Sequence, residues 1–121
     1  MQQLKKYEME RRRGMIAYLL NVSRPKPVEL GSLLYLLDAR NYPVTRHRLA
    51  EDLDFLRDAG LVRLMMPCSE SPLNDVQQEK HLHRFAESDG DNDNDYCVKL
   101  TNKGINFQDG QIQELGVLRV G

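Results

Sequence analysis

One stretch of the sequence, Thr45–Leu64, restricts the folds open to this chain more than any other. It reads TRHRLAEDLDFLRDAGLVRL. Thr45 predicts a helix N-cap, because its hydroxyl can accept a hydrogen bond from an amide of the first turn. Gly60 is expected to end this helix before a short apolar strand, residues 61–66. The helix would bury a stripe of leucines at helical spacing: Leu49, Leu53 and Leu56. A helix followed directly by a strand predicts mixed α and β structure.

The chain before this stretch predicts two more helices. Residues 3–22 carry apolar side chains at roughly helical spacing, interrupted by three consecutive arginines. We expect the second half of this helix to lie in the core and its basic part, residues 1–13, to project. Two prolines then break the helix, because proline lacks a backbone donor. Residues 28–41 resume helical spacing, and Asn41 is expected to close this second helix.

The chain after this stretch continues with a polar segment, residues 68–95, which predicts a long acidic wing loop. Within it, residues 75–87 can form a small helix with a weak apolar face. That face would consist of Val76, Leu82 and Phe85.

The last part of the chain predicts a second strand and a final helix. Residues 96–100 alternate apolar and polar side chains, as a half-buried strand does. Thr101 is expected to cap a short helix, from which Ile105 and Phe107 would reach the core. The tail, residues 111–121, is expected to be extended. Three helices followed by a two-stranded hairpin are the order of a winged helix-turn-helix domain.

Three segments carry a resemblance to a known group of proteins. LAEDLDFLRDAGLVRL resembles the D-L-x-x-L-x-x-x-G-L-V signature of many prokaryotic winged-helix proteins, and YCVKLTNKGINFQDG resembles their L-T-x-K-G ending. With the tail ELGVLRVG, the chain looks like the small winged-helix-like proteins of Mu-like phages and prophages. The resemblance covers roughly residues 14–66 and 96–121. It implies a single winged-helix domain over residues 1–121, mainly α with a small β-hairpin (α+β), and it carries no assigned activity.

The start of the third helix is the candidate site for reading DNA. In a winged-helix domain this turn enters the major groove, so Thr45, Arg46, His47 and Arg48 are the expected DNA contacts. Arginine can hold a guanine edge through two hydrogen bonds. The alternative is a solvated helix face. From Arg46 to Asp58 three arginines face four acids, a net charge of −1, and outward acids would oppose phosphate binding.

The N-terminal region is the most basic part of the chain. Residues 1–24 contain six basic and two acidic side chains, a net charge of +4. Arg11, Arg12 and Arg13 could therefore contact phosphates or a minor groove. The alternatives are a solvated helix face and the arm of a homodimer, and we expect the chain to form a homodimer.

The predicted acidic loop favours a different kind of partner. Residues 69–95 contain eight acidic and two basic side chains, a net charge of −6. A wing of this charge repels phosphate and suits a basic protein surface. We therefore consider two functions. The first is a DNA-binding regulator or DNA-associated factor of phage or prophage, and the alternative is a protein–protein interaction module without DNA binding.

Other classes of function find little support in the sequence. The chain has 121 residues, a formal net charge of −1 and no apolar run long enough for a membrane span, which predicts a cytoplasmic protein. No catalytic set, cofactor motif or EF-hand spacing is present. Zinc binding by the remaining candidate ligands lacks the required spacing. These are Cys68, His81, His83 and Cys97. We predict no enzyme, no cofactor and no metal.

Overall fold

The computed structural model describes residues 2–66, 73–90 and 96–120, with side chains from Leu4 onward. Within these ranges the chain forms five helices and three strands, an α+β arrangement. In chain order the elements are α1 (Gln2–Val22), β1 (Val28–Glu29), α2 (Leu30–Ala39), α3 (Arg46–Asp58), β2 (Val62–Met65), α4 (Asp75–Glu87), β3 (Cys97–Leu100) and α5 (Asn102–Gln108). None of these helices is both long enough and apolar enough to cross a membrane.

The first helix is divided between the core and the solvent, as its composition predicts. Its second half is buried through Met15, Ile16, Ala17, Leu19 and Leu20. Residues 4–8 are exposed, whereas Arg13 is buried, so the projecting part ends earlier than the predicted residues 1–13. Gly14 lets the C-terminal tail cross α1, because a Cβ atom there would lie 1.5 Å from the carbonyl oxygen of Leu118.

The sheet is antiparallel and has the order β1-β3-β2. The register places Val28 and Leu64 on either side of Val98 in the central strand. The prediction of a two-stranded hairpin is therefore incomplete, because the sheet has β1 as a third strand. Residues 28 and 29 were expected to begin the second helix, but they pair with β3, and the amide of Leu30 also donates to the carbonyl of Tyr96 at 3.2 Å. This pairing is long-range, so helical spacing alone could not reveal it.

The middle of the chain folds as its sequence predicts. Asn41 follows α2 with φ +65°, the left-handed conformation common after a helix end. The Thr45 hydroxyl accepts a hydrogen bond from the amide of Arg48 at 3.1 Å and caps α3. Gly60 ends the helix with φ +80°. The predicted stripe is confirmed, since its three leucines are fully buried: Leu49, Leu53 and Leu56.

The C-terminal part locks α5 against the start of β2. The Thr101 hydroxyl caps α5 by accepting from the amide of Gly104 at 3.1 Å. A Cβ atom on Gly104 would lie 2.1 Å from the carbonyl oxygen of Leu61, so this close approach requires glycine. Phe107 is buried as predicted, and Ile105 is partly buried. The tail contains extended residues around a turn that is closed by a bridge between residues 114 and 117.

Helix α4 occupies the middle of the predicted acidic loop, residues 68–95. It spans the predicted residues, 75–87, and begins with a capping box in which Asn74 and Gln77 bond reciprocally. Leu82 and Phe85 are buried as expected, but Val76 is 76% exposed, so it does not belong to the apolar face. The flanking parts of the loop, residues 67–72 and 91–95, lie outside the described residues, and so does Cys68.

Helix α4 packs antiparallel along one flank of α3. At one end, Arg57 near the C-terminus of α3 donates to the carbonyl of Asp75 at 3.0 Å. At the other end, His47 lies 3.5 Å from Glu87. At this second end the cation of Arg46 also sits 5.0 Å from the centre of the Phe85 ring. The packing of α4 on α3 decides which surface of α3 remains exposed to solvent.

Candidate nucleic-acid interface

The four residues predicted to read DNA point in two directions. Arg46 and His47 face α4 through the ring of Phe85 and the carboxylate of Glu87. Arg48 lies on the other side of α3, where it is exposed and 3.5 Å from Glu51. Thr45 uses its hydroxyl as the helix cap. Of this set, Arg48 is therefore the side chain best placed to meet a phosphate on the open side of α3.

The width of the α3–α4 pair limits how α3 can approach DNA. An α-helix with its side chains is about 10–12 Å wide, and the major groove is about 12 Å wide. Two packed helices have axes about 8–10 Å apart, so the pair is roughly 20 Å across. With α4 docked on its flank, α3 cannot enter a major groove along its length. Any contact must come from its first turn and the surface facing away from α4.

The outward surface of α3 beyond its first turn is acidic. Glu51 and Asp58 are exposed, and Asp54 is partly exposed. Arg57 does not make this surface attractive to an anionic ligand, because its side chain is only 8% exposed and contacts Asp54 at 2.7 Å. It also lies 3.3 Å from Glu79 of α4. This part of α3 therefore repels phosphate.

Arg57 joins α3 and α4 by charge. Burial lowers the pKa of Arg57, but the hydrogen bond to Glu79 and the neighbouring charges outweigh this effect and raise the pKa above its ordinary value. Those charges are Asp54, Asp58 and Glu79. The guanidinium is thus a structural cation that holds α4 in place.

Two of the predicted basic contacts are engaged inside the protein. Arg12 and Arg13 both form ion pairs with Asp52, which is fully buried. Arg13 also stacks on the ring of Phe55, 3.8 Å from its centre, and its guanidinium lies 3.4 Å from the carbonyl oxygen of Gly116. Their prediction as DNA contacts stays a prediction, and these contacts give both a second task, which is to hold α1 and the tail on α3.

Arg11 remains on the surface of the molecule. It donates to the hydroxyl groups of Tyr42 at 2.6 Å and Tyr7 at 3.3 Å. These hydrogen bonds raise the pKa of Arg11 above its ordinary value. The side chain is exposed, so it presents a fixed positive charge near the middle of α1.

The N-terminal half of α1 and the first turn of α3 form a basic groove of about 450 Å³. We call it the α1–α3 groove. Its lining consists of Lys5, Lys6, Glu8, Met9, Arg12 and Arg48. Two of its cations were singled out from the sequence. Lys5 and Lys6 were counted only within the basic N-terminus, because their place beside Arg48 depends on how α1 packs.

A second basic hollow lies on the outer face of the sheet and has a volume of about 650 Å³. We call it the sheet concavity. Five cations of the described residues line it: Arg24, Arg57, Arg63, Lys99 and Lys103. Sequence reasoning missed this cluster. The only signal was the position of Arg63 and Lys99 between buried apolar residues of their strands, which places each on the outer face.

The candidate zinc ligands have other surroundings in the described residues. His81 stacks on Tyr96 with ring centres 3.7 Å apart. Burial lowers the pKa of His81, and the charges of Arg84 and Lys80 lower it further. Cys97 is buried in β3. Within the described ranges no three His, Cys, Asp or Glu side chains are grouped to hold a metal ion.

The sequence matches no protein-family model, no curated protein and no solved structure. The case for a function therefore rests on the geometry and charge described above.

Proposed function

We propose that this chain is a winged helix-turn-helix protein that associates with double-stranded DNA by binding backbone phosphates in the α1–α3 groove. The element order supports the fold: three helices, a first short strand, and two further strands that pair antiparallel after the third helix. In this reading α4 is an insertion in the wing. Because α4 packs on α3, this part of the wing stabilises α3 instead of contacting DNA.

The observation that carries the proposal is the convergence of cations in the α1–α3 groove. Lys5, Lys6 and Arg48 come from two different helices and line one hollow with Arg12. Glu8 is the one acid among the described residues of that lining, and Glu51 and Asp52 pair with Arg48 and Arg12 from outside it. Lysine and arginine on a concave surface match the charge of a phosphate chain, which supplies most of the affinity of non-specific DNA binding.

The same geometry favours a DNA-associated factor over a sequence-specific regulator. Contacts to phosphates position a protein but do not identify the bases. The side chains that would read base edges, Arg46 and His47, face α4. We therefore expect little discrimination between DNA sequences. The place among Mu-like phage proteins and the homodimer through α1, where Leu4 and Tyr7 are exposed, remain predictions.

The interaction module without DNA binding is the second candidate. It is favoured by the acidic surface that α3 and α4 share, which includes Glu51, Asp58 and Glu79. This surface would suit a basic protein partner. On this account the chain would bind no DNA, and its partner would require α4.

Fluorescence anisotropy with a random-sequence duplex, titrated with salt, tests the proposal. We would compare the parent with a triple variant, Lys5→Gln, Lys6→Gln and Arg48→Gln. Each lost phosphate contact removes about 0.9 from the slope of log affinity against log salt, so the triple variant should lose roughly 2–3. The matched control, Lys80→Gln with Arg84→Gln, removes two exposed cations of α4. It should bind like the parent.

Two outcomes would reject DNA association through this groove. One is the absence of binding at roughly 100 µM protein in low salt, which is weaker than typical non-specific affinity. The other is equal binding by the parent and the triple variant. The first outcome would leave the interaction module as the better account.

A further inference from the structure

The sheet concavity lies away from the α1–α3 groove and has no role in the function proposed above. We infer that it is a second phosphate-binding surface, which takes the backbone of a double-stranded DNA segment. It combines cations from a loop, two neighbouring strands and the start of α5: Arg24, Arg63, Lys99 and Lys103.

Its centre is a pair of like charges. The register sets Arg63 of β2 directly opposite Lys99 of β3, and both are exposed. Side chains in this relation have Cβ atoms about 5 Å apart, and like charges there destabilise a sheet. Among the described residues neither side chain has an ion-pair partner. A bound anion between them would remove the repulsion.

The other charges around the hollow leave it positive. Within the described residues the guanidinium of Arg24 donates only to the side-chain oxygen of Asn21, at 3.1 Å. Lys103 donates to the carbonyl of Ala59 at 2.6 Å and lies 3.5 Å from Glu114. Among the described residues Asp75 is the one acid in the lining, while the guanidinium of Arg57, which also lines the hollow, is already surrounded by carboxylates.

The shape of the site favours a phosphate chain over a lipid surface. Membrane-binding surfaces combine basic side chains with exposed apolar ones that insert between lipids. Here, of the apolar lining residues, Val62 and Leu100 are buried, Ile105 is partly buried and Pro25 alone is exposed. The cations surround a hollow into which a ridge of phosphates can enter. Lysine and arginine at several points around such a hollow contact successive phosphates of one strand.

The sheet concavity and the α1–α3 groove lie near opposite ends of α1. Lys6 is 16 residues before Val22, the last residue of the helix, and the helical rise makes this separation about 24 Å. Arg24 follows just beyond that end. One molecule therefore presents two cationic surfaces far enough apart to engage separate DNA segments.

The test uses the full-length protein with two sets of substitutions. Arg63→Gln with Lys99→Gln alters the sheet concavity, and the triple glutamine variant defined above alters the α1–α3 groove. Binding to a duplex is measured by anisotropy at low salt. Bridging is measured by energy transfer between two duplexes that carry different dyes. Thermal unfolding of each variant verifies that it is folded.

We expect the sheet variant to bind DNA about threefold to tenfold more weakly and to lose the energy transfer, as expected for two lost phosphate contacts. The groove variant should keep the part of the binding that depends on Arg63 and Lys99. The proposal is overturned if the sheet variant binds and bridges like the parent. It is also overturned if a parallel measurement shows that the sheet variant loses binding to vesicles containing phosphatidylserine while it binds the duplex like the parent. If the groove variant binds like the parent while the sheet variant binds more weakly, the proposed function is rejected and the proposal for the sheet concavity stands.

Discussion

At the scale of single residues, charge in this protein is divided between structural and exposed roles. Asp52 adds to the count of acids along α3 in the sequence, yet it is fully buried and forms ion pairs with Arg12 and Arg13. Arg48, about two and a half turns before Arg57 on the same helix, stays exposed. Counting charges along α3 could not make this distinction, because the partners of Asp52 lie about forty residues earlier in the chain.

Replacing Asp52 with asparagine should strongly destabilise the fold. The change leaves two arginines, one of them buried, without their counter-charge, and breaking a buried ion pair in this way costs about 3 kcal/mol. Urea unfolding followed by circular dichroism measures the difference. The control Asp58→Asn changes an exposed partner of Arg57 and should cost less than about 1 kcal/mol. Equal effects for the two variants would contradict the role of Asp52.

Stability should fall in mild acid because of His81. Burial lowers its pKa, followed by the charges of Arg84 and Lys80. Above about pH 6.5 the imidazole is neutral in both folded and unfolded chains. Below that pH the unfolded chain binds a proton that the folded chain resists, so stability is lost as the pH falls through the folded pKa.

Unfolding in urea at pH 7.5 and at pH 5.5 tests this dependence. His81→Phe keeps an aromatic ring against Tyr96 and should lose less stability over this range than the parent. His83→Gln alters an exposed histidine on the same helix and should behave like the parent. A parent-like fall in His81→Phe would show that other groups govern the pH response.

At the scale of elements, the ends of the helices could be predicted from the local sequence, whereas the contacts between elements could not. Thr45, Asn41 and Gly60 mark the ends of helices through their own side chains and backbone preferences, and all three act as predicted. The strand β1 has only two residues and exists because β3 pairs with it. The extent of α4 was predictable from its sequence, whereas its contact with α3 depends on Arg57 and Glu79, twenty-two residues apart.

The sheet register leads to a change that should stabilise the fold. Lys99→Glu converts the repulsion with Arg63 into an attraction between directly opposed strands, which is worth roughly 0.2–1 kcal/mol. The gain should shrink at high salt because both side chains are exposed. Differential scanning calorimetry at low and high salt measures it. The control Lys26→Glu changes an exposed lysine outside the sheet and should give no comparable gain.

At the scale of the whole molecule, the formal net charge is −1, but basic and acidic side chains lie on different surfaces. Cations gather in the α1–α3 groove and the sheet concavity. Acids gather on the outward side of α3 and on α4. Bulk charge therefore says little about phosphate binding here, because the local field of each surface governs association. The scaffold could be expected from the sequence, but its basic hollows required the packing of α1 and the register of the sheet.

Mapping amide chemical shifts of the isotope-labelled protein during titration with a short duplex tests the central claim most directly. We expect the largest changes at residues 4–12 and at Arg48, a second group at Arg63 and Lys99, and little change along α4. Changes concentrated on residues 51–58 and α4 would contradict phosphate binding through the α1–α3 groove. The absence of any change at low salt would contradict DNA association itself.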